Sequence, residues 1–278
     1  IAKLLGGVVA LSVLILVRVV VQAAMLLPIV GLSGRGLRLP PGFLIWTLLR
    51  TVLHILGIGL MFSALRYLPL ADALAIAFVM PFIMLLLGHF AMGEHVGVHR
   101  MAACSVGFIG TLLVIQPNFV EVGYPALLPL GVAVIFALFM MVTRKVARAL
   151  DPIKLQAISG VQATGILLAV LIILPTTFGA VSFQFDPPTW WLLAALGLIG
   201  TFAHLFMTWS LRFAPASTLA PMQYLEIPFG TAIGWLIFQD LPNGLAALGI
   251  CSTVGAGLYI ILRERRLAQQ SAKAPAAV

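Results

Sequence analysis

The sequence predicts an all-α, polytopic membrane protein with ten transmembrane helices, arranged as two inverted five-helix repeats. Three observations predict this fold class: an apolar composition, a succession of long apolar segments and an internal repeat. Hydrophobic residues make up 62% and charged residues 9% of the 278 residues, whereas about a quarter of the residues in soluble domains are charged. With a mean hydropathy of +1.15, the chain is predicted to lie in a lipid bilayer.

Nine segments approach the length of about 20 apolar residues that a membrane-spanning helix needs. Pro and Gly residues separate them, as is typical of the joints between helices. We expect the apolar stub IAKLL to be the end of a further helix that is mostly missing from this sequence, which brings the total to ten. The nine segments are Val9–Val30, Phe43–Tyr67, Ala71–Met92, Arg100–Ile115, Pro125–Thr143, Ile153–Leu174, Pro188–Arg212, Pro215–Phe238 and Gly244–Leu262.

The two halves of the chain repeat each other. Pro81 and Pro228 match at a spacing of 147 residues, and so do Cys104 and Cys251. Five helices per copy is an odd number, so the second copy is inserted with the opposite orientation. We therefore predict a first repeat at residues 1–119, a second repeat at residues 120–267 and a disordered cytoplasmic tail at residues 268–278. Small, buried cysteines in matching helices are expected to be packing residues.

The basic residues test this topology, because cytoplasmic loops carry an excess of Lys and Arg. With both termini in the cytoplasm, 12 of the 16 Lys and Arg residues fall in cytoplasmic segments. Only Lys3 and Arg66 fall on the opposite side, while Arg18 and Arg50 lie inside spans. Topology thus explains the net charge of +8, and we predict no nucleic-acid partner.

The ninth segment combines features that are costly in lipid. It carries Glu226, and an ionisable side chain in hydrocarbon costs several kcal/mol unless it faces protein or water. Pro221 and Pro228 each remove a backbone hydrogen bond, so the helix should bend or open where other groups satisfy the freed carbonyls. Interrupted helices at matching places of two repeats indicate a binding site and its hinges. We therefore predict hinges at Pro81, Pro221 and Pro228.

Four stretches resemble signature segments of the drug/metabolite transporter superfamily, in particular its ten-helix EamA-type members. They are RYLPLADALAIAFVMPF, GEHVGVHRMAACSVGFIGTLLVIQP, RFAPASTLAPMQYLEIPFGTAIGWLIFQD and GAGLYIILRERR. The resemblance covers nearly the whole chain and extends to aromatic amino acid exporters. It implies two inverted repeats around a central cavity, alternating access, a place in the bacterial inner membrane and export of amino acids or related metabolites.

Glu226 is the first candidate for the chemistry of transport. It lies 11 residues into its segment, about 16 Å along a helix and hence near the middle of the bilayer. It could couple transport to protons or bind a substrate amino group. It could equally form a buried ion pair with Arg18 or Arg50. Its counterpart in the first half is Met80 or Val79, so this charge breaks the repeat.

Further polar residues share helix faces. Arg50 and His54 are four apart, and Thr201, His204 and Thr208 form a stripe beside Trp209. Either arginine could bind a substrate carboxylate, although Arg50 could also reach the interface and the histidine could simply join helices. The aromatic and Met residues could form an adaptable wall or pack the core. The predicted substrate-binding residues are Glu226, Tyr224, Gln223, His204, Thr208, Trp209, Arg18, Arg50, His54, Phe78, Met80, Phe136 and Met140.

These observations favour a secondary transporter that exports amino acids or similar small metabolites by alternating access. Uptake of a vitamin or a nucleotide-like solute is the alternative within transport. A membrane sensor or scaffold is the alternative from another class, although two interrupted helices are hard to explain in a static bundle. No sequence motif of an enzyme or of an ATP-binding loop is present. We expect a monomer in the bilayer with a small-molecule substrate and without cofactor or metal.

Overall fold

The computed structural model describes residues 5, 9–34, 36–65, 67–68, 70–94, 96–116, 124–173, 185–229, 232, 236 and 244–273. Within these ranges the chain is helical and contains no strand. Short 3₁₀ segments occur at Tyr124–Ala126 and Pro221–Leu225. The α-helices are α1 Leu11–Leu32, α2 Phe43–Ala64, α3 Leu70–Ala77, α4 Met80–Met92, α5 Val98–Ile115, α6 Leu127–Ala147, α7 Pro152–Ile173, α8 Pro187–Phe213, α9 Ala216–Leu219 and α10 Gly244–Lys273.

Eight helices in the described ranges are long and apolar enough to cross a membrane. They correspond to eight of the nine predicted segments, so the prediction of an all-α, polytopic membrane protein is confirmed. The ninth segment is described mainly up to residue 229, and there it consists of α9, the 3₁₀ segment and a helical turn at 226–229. Most of the stub before residue 9, and with it the tenth helix, lies outside the described residues.

The helices fall into two compact units. Unit 1 comprises residues 1–62 and 142–213, and unit 2 comprises residues 63–141 and 214–278. Each unit therefore combines segments from both halves of the sequence, whereas the repeats that we predicted at 1–119 and 120–267 are defined by sequence alone. That duplication stays a prediction.

In unit 1, α1 is the central helix and packs against α7 and α8. Its contact with α7 is close because Gly160 lies against the α1 backbone, where an added methyl group would come within 3.1 Å of the Ala23 nitrogen. Its contact with α8 is close because Gly197 lies against the side chain of Val21. Small residues allow such approaches in membrane helices, where dispersion replaces the hydrophobic effect.

In unit 2, the main contact joins α5 and α10. Gly110 of α5 faces the carbonyl of Gly249 of α10, so that an added methyl group at residue 110 would lie 2.8 Å from that oxygen. The 3₁₀ segment packs on the same helix, because the side chain of Leu225 lies against Gly257. Thus α10 supports both α5 and the broken ninth segment.

The C-terminal helix is longer than predicted. Helix α10 continues to Lys273, so residues 268–273, which we expected to be disordered, are helical. Residues 274–278 lie outside the described part of the chain. The helix continues because RERRLAQQ contains no Pro or Gly and is rich in residues of high helix propensity.

Candidate functional site

Arg50 is the centre of a buried polar network in unit 1. Only 1% of its surface is exposed. Its guanidinium donates hydrogen bonds from Nε to Thr143 Oγ1 (2.9 Å), from one terminal nitrogen to Ser159 Oγ (2.7 Å) and from the other to Thr208 Oγ1 (3.5 Å). These three hydroxyls stand on α6, α7 and α8, so one side chain of α2 joins four helices. Such contacts offset part of the cost of burying a charge.

Glutamine side chains extend this network. Gln156 Nε2 donates to Thr208 Oγ1 at 3.1 Å, and Gln22 Nε2 donates to the backbone oxygen of Gln156 at 2.8 Å. Gln162 is bonded separately to α2, since its Nε2 donates to Thr47 Oγ1 at 2.9 Å. Each of these three amides contains both a donor and an acceptor, so unit 1 has groups with the chemistry to bond a polar solute.

His54 and His204 form a pair in the same unit. Their Nε2 atoms are 3.2 Å apart and the ring centroids are 4.4 Å apart. Arg50 lies one turn before His54 on α2, and Thr208 lies one turn after His204 on α8. The two contacts, His54 to His204 and Arg50 to Thr208, therefore lie one turn apart along antiparallel helices. The predicted binding residues Arg50, His54, His204 and Thr208 are thus brought together.

Arg18 and Trp209, also predicted binding residues, belong to unit 1 as well. Arg18 is partly buried on α1 and its guanidinium lies against Gly200 of α8. Arg18 also lines a cavity of about 380 Å³. Trp209 is partly exposed, and its ring contacts Phe206, which is itself exposed. None of the hydrogen bonds described above for Arg50 involves Trp209.

Tyr224 satisfies a carbonyl that a helix break releases in unit 2. Helix α3 ends at Ala77 and α4 begins at Met80, and the N–H of Phe82 donates to the carbonyl of Val79. In a continuous α-helix that N–H would donate to the carbonyl of Phe78. The hydroxyl of Tyr224 donates to the Phe78 carbonyl instead, at 3.1 Å. Tyr224 is 0% exposed, so its hydroxyl bonds the protein in this conformation, and its role as a substrate contact stays a prediction.

The other predicted binding residues of unit 2 are dispersed. Gln223 Nε2 lies 3.1 Å from the sulfur of Met84, and Phe136 packs edge-to-face on Phe139. Met140 is buried, and Met80 is partly exposed. These contacts are those of packing residues.

Glu226 follows the 3₁₀ segment directly, and its side chain is exposed. The ion pair with Arg18 or Arg50 that the sequence suggested would join the two units, and it stays a prediction.

The predicted hinge prolines lie at or near breaks. Pro81 occupies the first turn of α4, directly after the interruption at residues 78–79. Pro221 begins the 3₁₀ segment, and Pro228 lies in the helical turn that follows. The chain therefore changes its helical geometry at Pro81 and Pro221, which makes both positions suitable for a hinge.

A polar cluster at the helix ends of unit 2 escaped the sequence analysis. Arg100 forms an ion pair with Glu264 (2.9 Å) and donates to Ser217 Oγ at 2.8 Å. The carboxylate of Glu94 accepts the backbone N–H groups of Ala216 and Ser217. The Glu94 carboxylate thus caps the start of α9. The only signal in the sequence was that Arg100, Glu264 and Glu94 are charged and lie near helix ends. The predicted membrane topology explained these charges equally well.

Together, the fold and the buried polar groups define a multi-pass helical membrane protein with charged and amide side chains inside its spans. The sequence pattern of the EamA-like transporter family matches residues 1–116 and 124–263. The chain therefore belongs to the EamA-like transporter family, within the drug/metabolite transporter superfamily, and acts on small molecules in a membrane.

Characterised relatives are similar over most of their length. A riboflavin transporter of Rhizobium johnstonii is 29% identical over 79% of this chain and 70% of its own. An S-adenosylmethionine uptake transporter of Rickettsia prowazekii is 25% identical over 78% and 72%. A pseudopaline exporter of Pseudomonas aeruginosa is 23% identical over 77% and 72%. A solved crystal structure shares the fold, with a TM-score of 0.78 and 20% identity over 95% of this chain and 92% of that one.

Proposed function

We propose that the chain is a secondary transporter that carries a vitamin- or nucleoside-like organic solute across the membrane by alternating access. The observation that carries this proposal is the network around Arg50. A fully buried guanidinium inside a span costs several kcal/mol, and such groups are kept where they contact a substrate or line its path. A guanidinium and amide side chains in the middle of a span can hydrogen-bond a solute that has polar groups along one edge.

The amide groups favour a heterocyclic solute. Gln156, Gln162 and Gln22 each present a donor and an acceptor, which is the arrangement that reads the edge of a nucleobase or a flavin ring. Relatives that carry riboflavin or S-adenosylmethionine fit this choice, because both molecules contain a nitrogen heterocycle. We therefore place this class before the amino acids that the sequence suggested.

Export of amino acids is the second candidate. It is favoured by the two arginines inside the spans of unit 1, Arg18 and Arg50, because a carboxylate binds a guanidinium well. We also propose that both termini are cytoplasmic, as the distribution of basic residues indicates.

Transport in proteoliposomes tests the proposal. Purified protein is reconstituted, and uptake of radiolabelled riboflavin, adenosine, S-adenosylmethionine, tryptophan and phenylalanine is measured with and without a proton gradient. We expect saturable flux of riboflavin, adenosine or S-adenosylmethionine. Flux of tryptophan or phenylalanine alone would favour the second candidate. No flux of any compound above that of protein-free liposomes would contradict both.

A matched pair of variants tests the role of Arg50. Arg50→Gln is expected to lower flux at least about tenfold, since a contact worth 1.4 kcal/mol already changes a rate tenfold. Arg212→Gln, on an exposed arginine at the end of α8, is expected to retain flux. If Arg50→Gln does not fold, Ser159→Ala removes a single partner of the guanidinium and is expected to reduce flux while leaving the fold intact. Equal flux in the Arg50 and Arg212 variants would contradict the assignment.

A further inference from the structure

A cavity of about 380 Å³ opens beside α1 in unit 1. Its walls are almost entirely apolar and include Leu14, Ile58, Phe62 and Leu196, and the cation that lines it is Arg18. The volume lies within the range of about 300 to 1,000 Å³ that is usual for small-molecule sites. An apolar cavity with one guanidinium has the chemistry of a site for an organic anion.

Gly200 lies beside the guanidinium of Arg18 at mid-span. It is the fourteenth of the 27 residues of α8, about 20 Å from either end of that helix. A methyl group added at this residue would lie 2.5 Å from Nε and 3.1 Å from a terminal nitrogen of Arg18. The absence of a side chain at residue 200 therefore makes room for the guanidinium. A lipid headgroup at the membrane surface lies too far from this depth to bind there.

Unit 1 does not supply a carboxylate at this depth. Residues 1–62 and 142–213 contain two carboxylates, Asp151 and Asp186. Both stand at helix starts: Asp151 accepts the N–H groups of Ile153 and Lys154, and Asp186 accepts the hydroxyl of Thr189. Asp186 lies 14 residues before Gly200, about 21 Å along α8. The positive charge of Arg18 is thus not neutralised by the sequence of its own unit.

The cavity lies one helical turn beyond the contacts between α2 and α8. Arg50 meets Thr208 and His54 meets His204, and one further turn along each helix brings Ile58 and Gly200, both of which line the cavity. Ile58 and Gly200 themselves have no polar side chain, and the guanidinium of Arg18 of α1 lies against Gly200. Two arginine side chains and a histidine pair therefore extend over about two helical turns, and the charges of the two guanidinium groups favour a negative ligand.

We propose that the Arg18 cavity binds the carboxylate or phosphate of a small organic anion, whose apolar part lies against Ile58 and Phe62. The guanidinium supplies two parallel N–H donors, which match the oxygens of such a group. Gly200 is the residue that sets the position of the guanidinium and hence the selectivity for anions. The inference rests on the proposed function in one respect, since the anion is taken to be a transported solute.

Binding to the purified protein in nanodiscs of phosphatidylcholine tests the inference without a gradient. The probes are two matched pairs that differ in charge: indole-3-acetate with indole-3-ethanol, and flavin mononucleotide with riboflavin. We expect at least one anion to bind about tenfold more tightly than its neutral partner. Equal affinities within both pairs would overturn the proposal. Loss of anion binding when phosphatidylglycerol is added to the nanodisc at about 1 M salt, which screens the charge of the bilayer surface, would also overturn it, because a lipid would then be the occupant.

Variants at the cavity locate the site. Arg18→Gln is expected to abolish the preference for the anion, and Arg18→Lys is expected to retain part of it. Gly200→Ala is expected to weaken anion binding at least fivefold by displacing the guanidinium. Gly197→Ala is the matched control, since its methyl group would lie 2.6 Å from Val21 and disturb the same pair of helices without touching Arg18. An unchanged preference in Arg18→Gln, or equal losses in both glycine variants, would contradict the assignment.

These measurements are separable from the transport assay. Anion binding that depends on Arg18 without flux of any solute would support the site and contradict the proposed function. If riboflavin or an amino acid is transported but the binding assay shows no preference for the anions, the function is supported and the site is contradicted.

Discussion

Tyr224→Phe removes one hydroxyl and leaves the ring in place, so it isolates the hydrogen bond to the carbonyl of Phe78. Tyr224 is 0% exposed and the bond is 3.1 Å long. Removing the donor leaves a buried carbonyl at a helix break, which costs about 1 to 3 kcal/mol in soluble proteins. Hydrogen bonds between membrane helices average about 0.6 and reach about 1.7 kcal/mol. We therefore expect a loss of about 1 to 2 kcal/mol in the free energy of unfolding.

Reversible unfolding by SDS in mixed micelles, followed by circular dichroism, measures this loss. Tyr259→Phe is the matched control. Its hydroxyl lies 2.6 Å from Nδ1 of His99, but both side chains are exposed, so the expected loss is below about 0.5 kcal/mol. If the two variants lose the same stability, the carbonyl of Phe78 does not depend on Tyr224 and the account of the break in α3 and α4 is wrong.

Two further predictions concern unit 2. Gly110→Ala is expected to lower the free energy of unfolding by about 1 to 3 kcal/mol, because its methyl group would lie 2.8 Å from the carbonyl oxygen of Gly249. Gly255→Ala is the control, since its methyl group would meet nothing within 4 Å and should be neutral or slightly stabilising. The unfolding transitions of the two variants are compared, and equal free energies would refute the close contact. The side chains of the Arg100 to Glu264 ion pair are only 14% and 24% exposed, so the pair is partly desolvated and we expect a coupling energy of about 1 kcal/mol or more, at or above the range of about 0.2 to 1 kcal/mol for exposed pairs. A double-mutant cycle with Arg100→Gln and Glu264→Gln measures it, and a coupling energy near zero would mean that the pair is solvated.

The apolar segments could be predicted because lipid imposes a simple rule on the backbone. Every N–H and C=O group in hydrocarbon must be bonded within the segment, so a long apolar run becomes a helix. The start of α2 at Phe43 coincides with the prediction, and α8 begins at Pro187, one residue before the predicted Pro188. Pro marked these starts because it suits the first turn of a helix and disrupts its interior.

The partners of the polar side chains could not be predicted from the sequence. Helix periodicity put Arg50 and His54 on one face of a helix, and it did the same for His204 and Thr208. It could not show that these two faces meet, because that depends on how α2 and α8 pack. The same limit applies to Tyr224, whose partner Phe78 is 146 residues away. For Tyr224 the sequence indicated a substrate contact or a packing residue, because the hydroxyl carries no sign of its acceptor.

The clearest omission from the sequence analysis is Gly200. Glycine in a span usually serves as a packing residue, because small residues are common where membrane helices meet. At this residue the neighbour is a guanidinium, and the space matters for the placement of a charge. Sequence alone could not distinguish the two roles, since both require only the absence of a side chain.

The 3₁₀ segment Pro221–Leu225 changes how the residues that follow it at 226–229 should be mapped. A 3₁₀-helix turns about 120° and rises about 2.0 Å per residue, against about 100° and 1.5 Å in an α-helix. Over these five residues the azimuth of the side chains at 226–229 shifts by about 100°, and their depth by about 2.5 Å. A helical wheel drawn straight through Pro221 therefore assigns Glu226 to the wrong quadrant, and an accessibility scan with cysteines should show its periodicity change phase there.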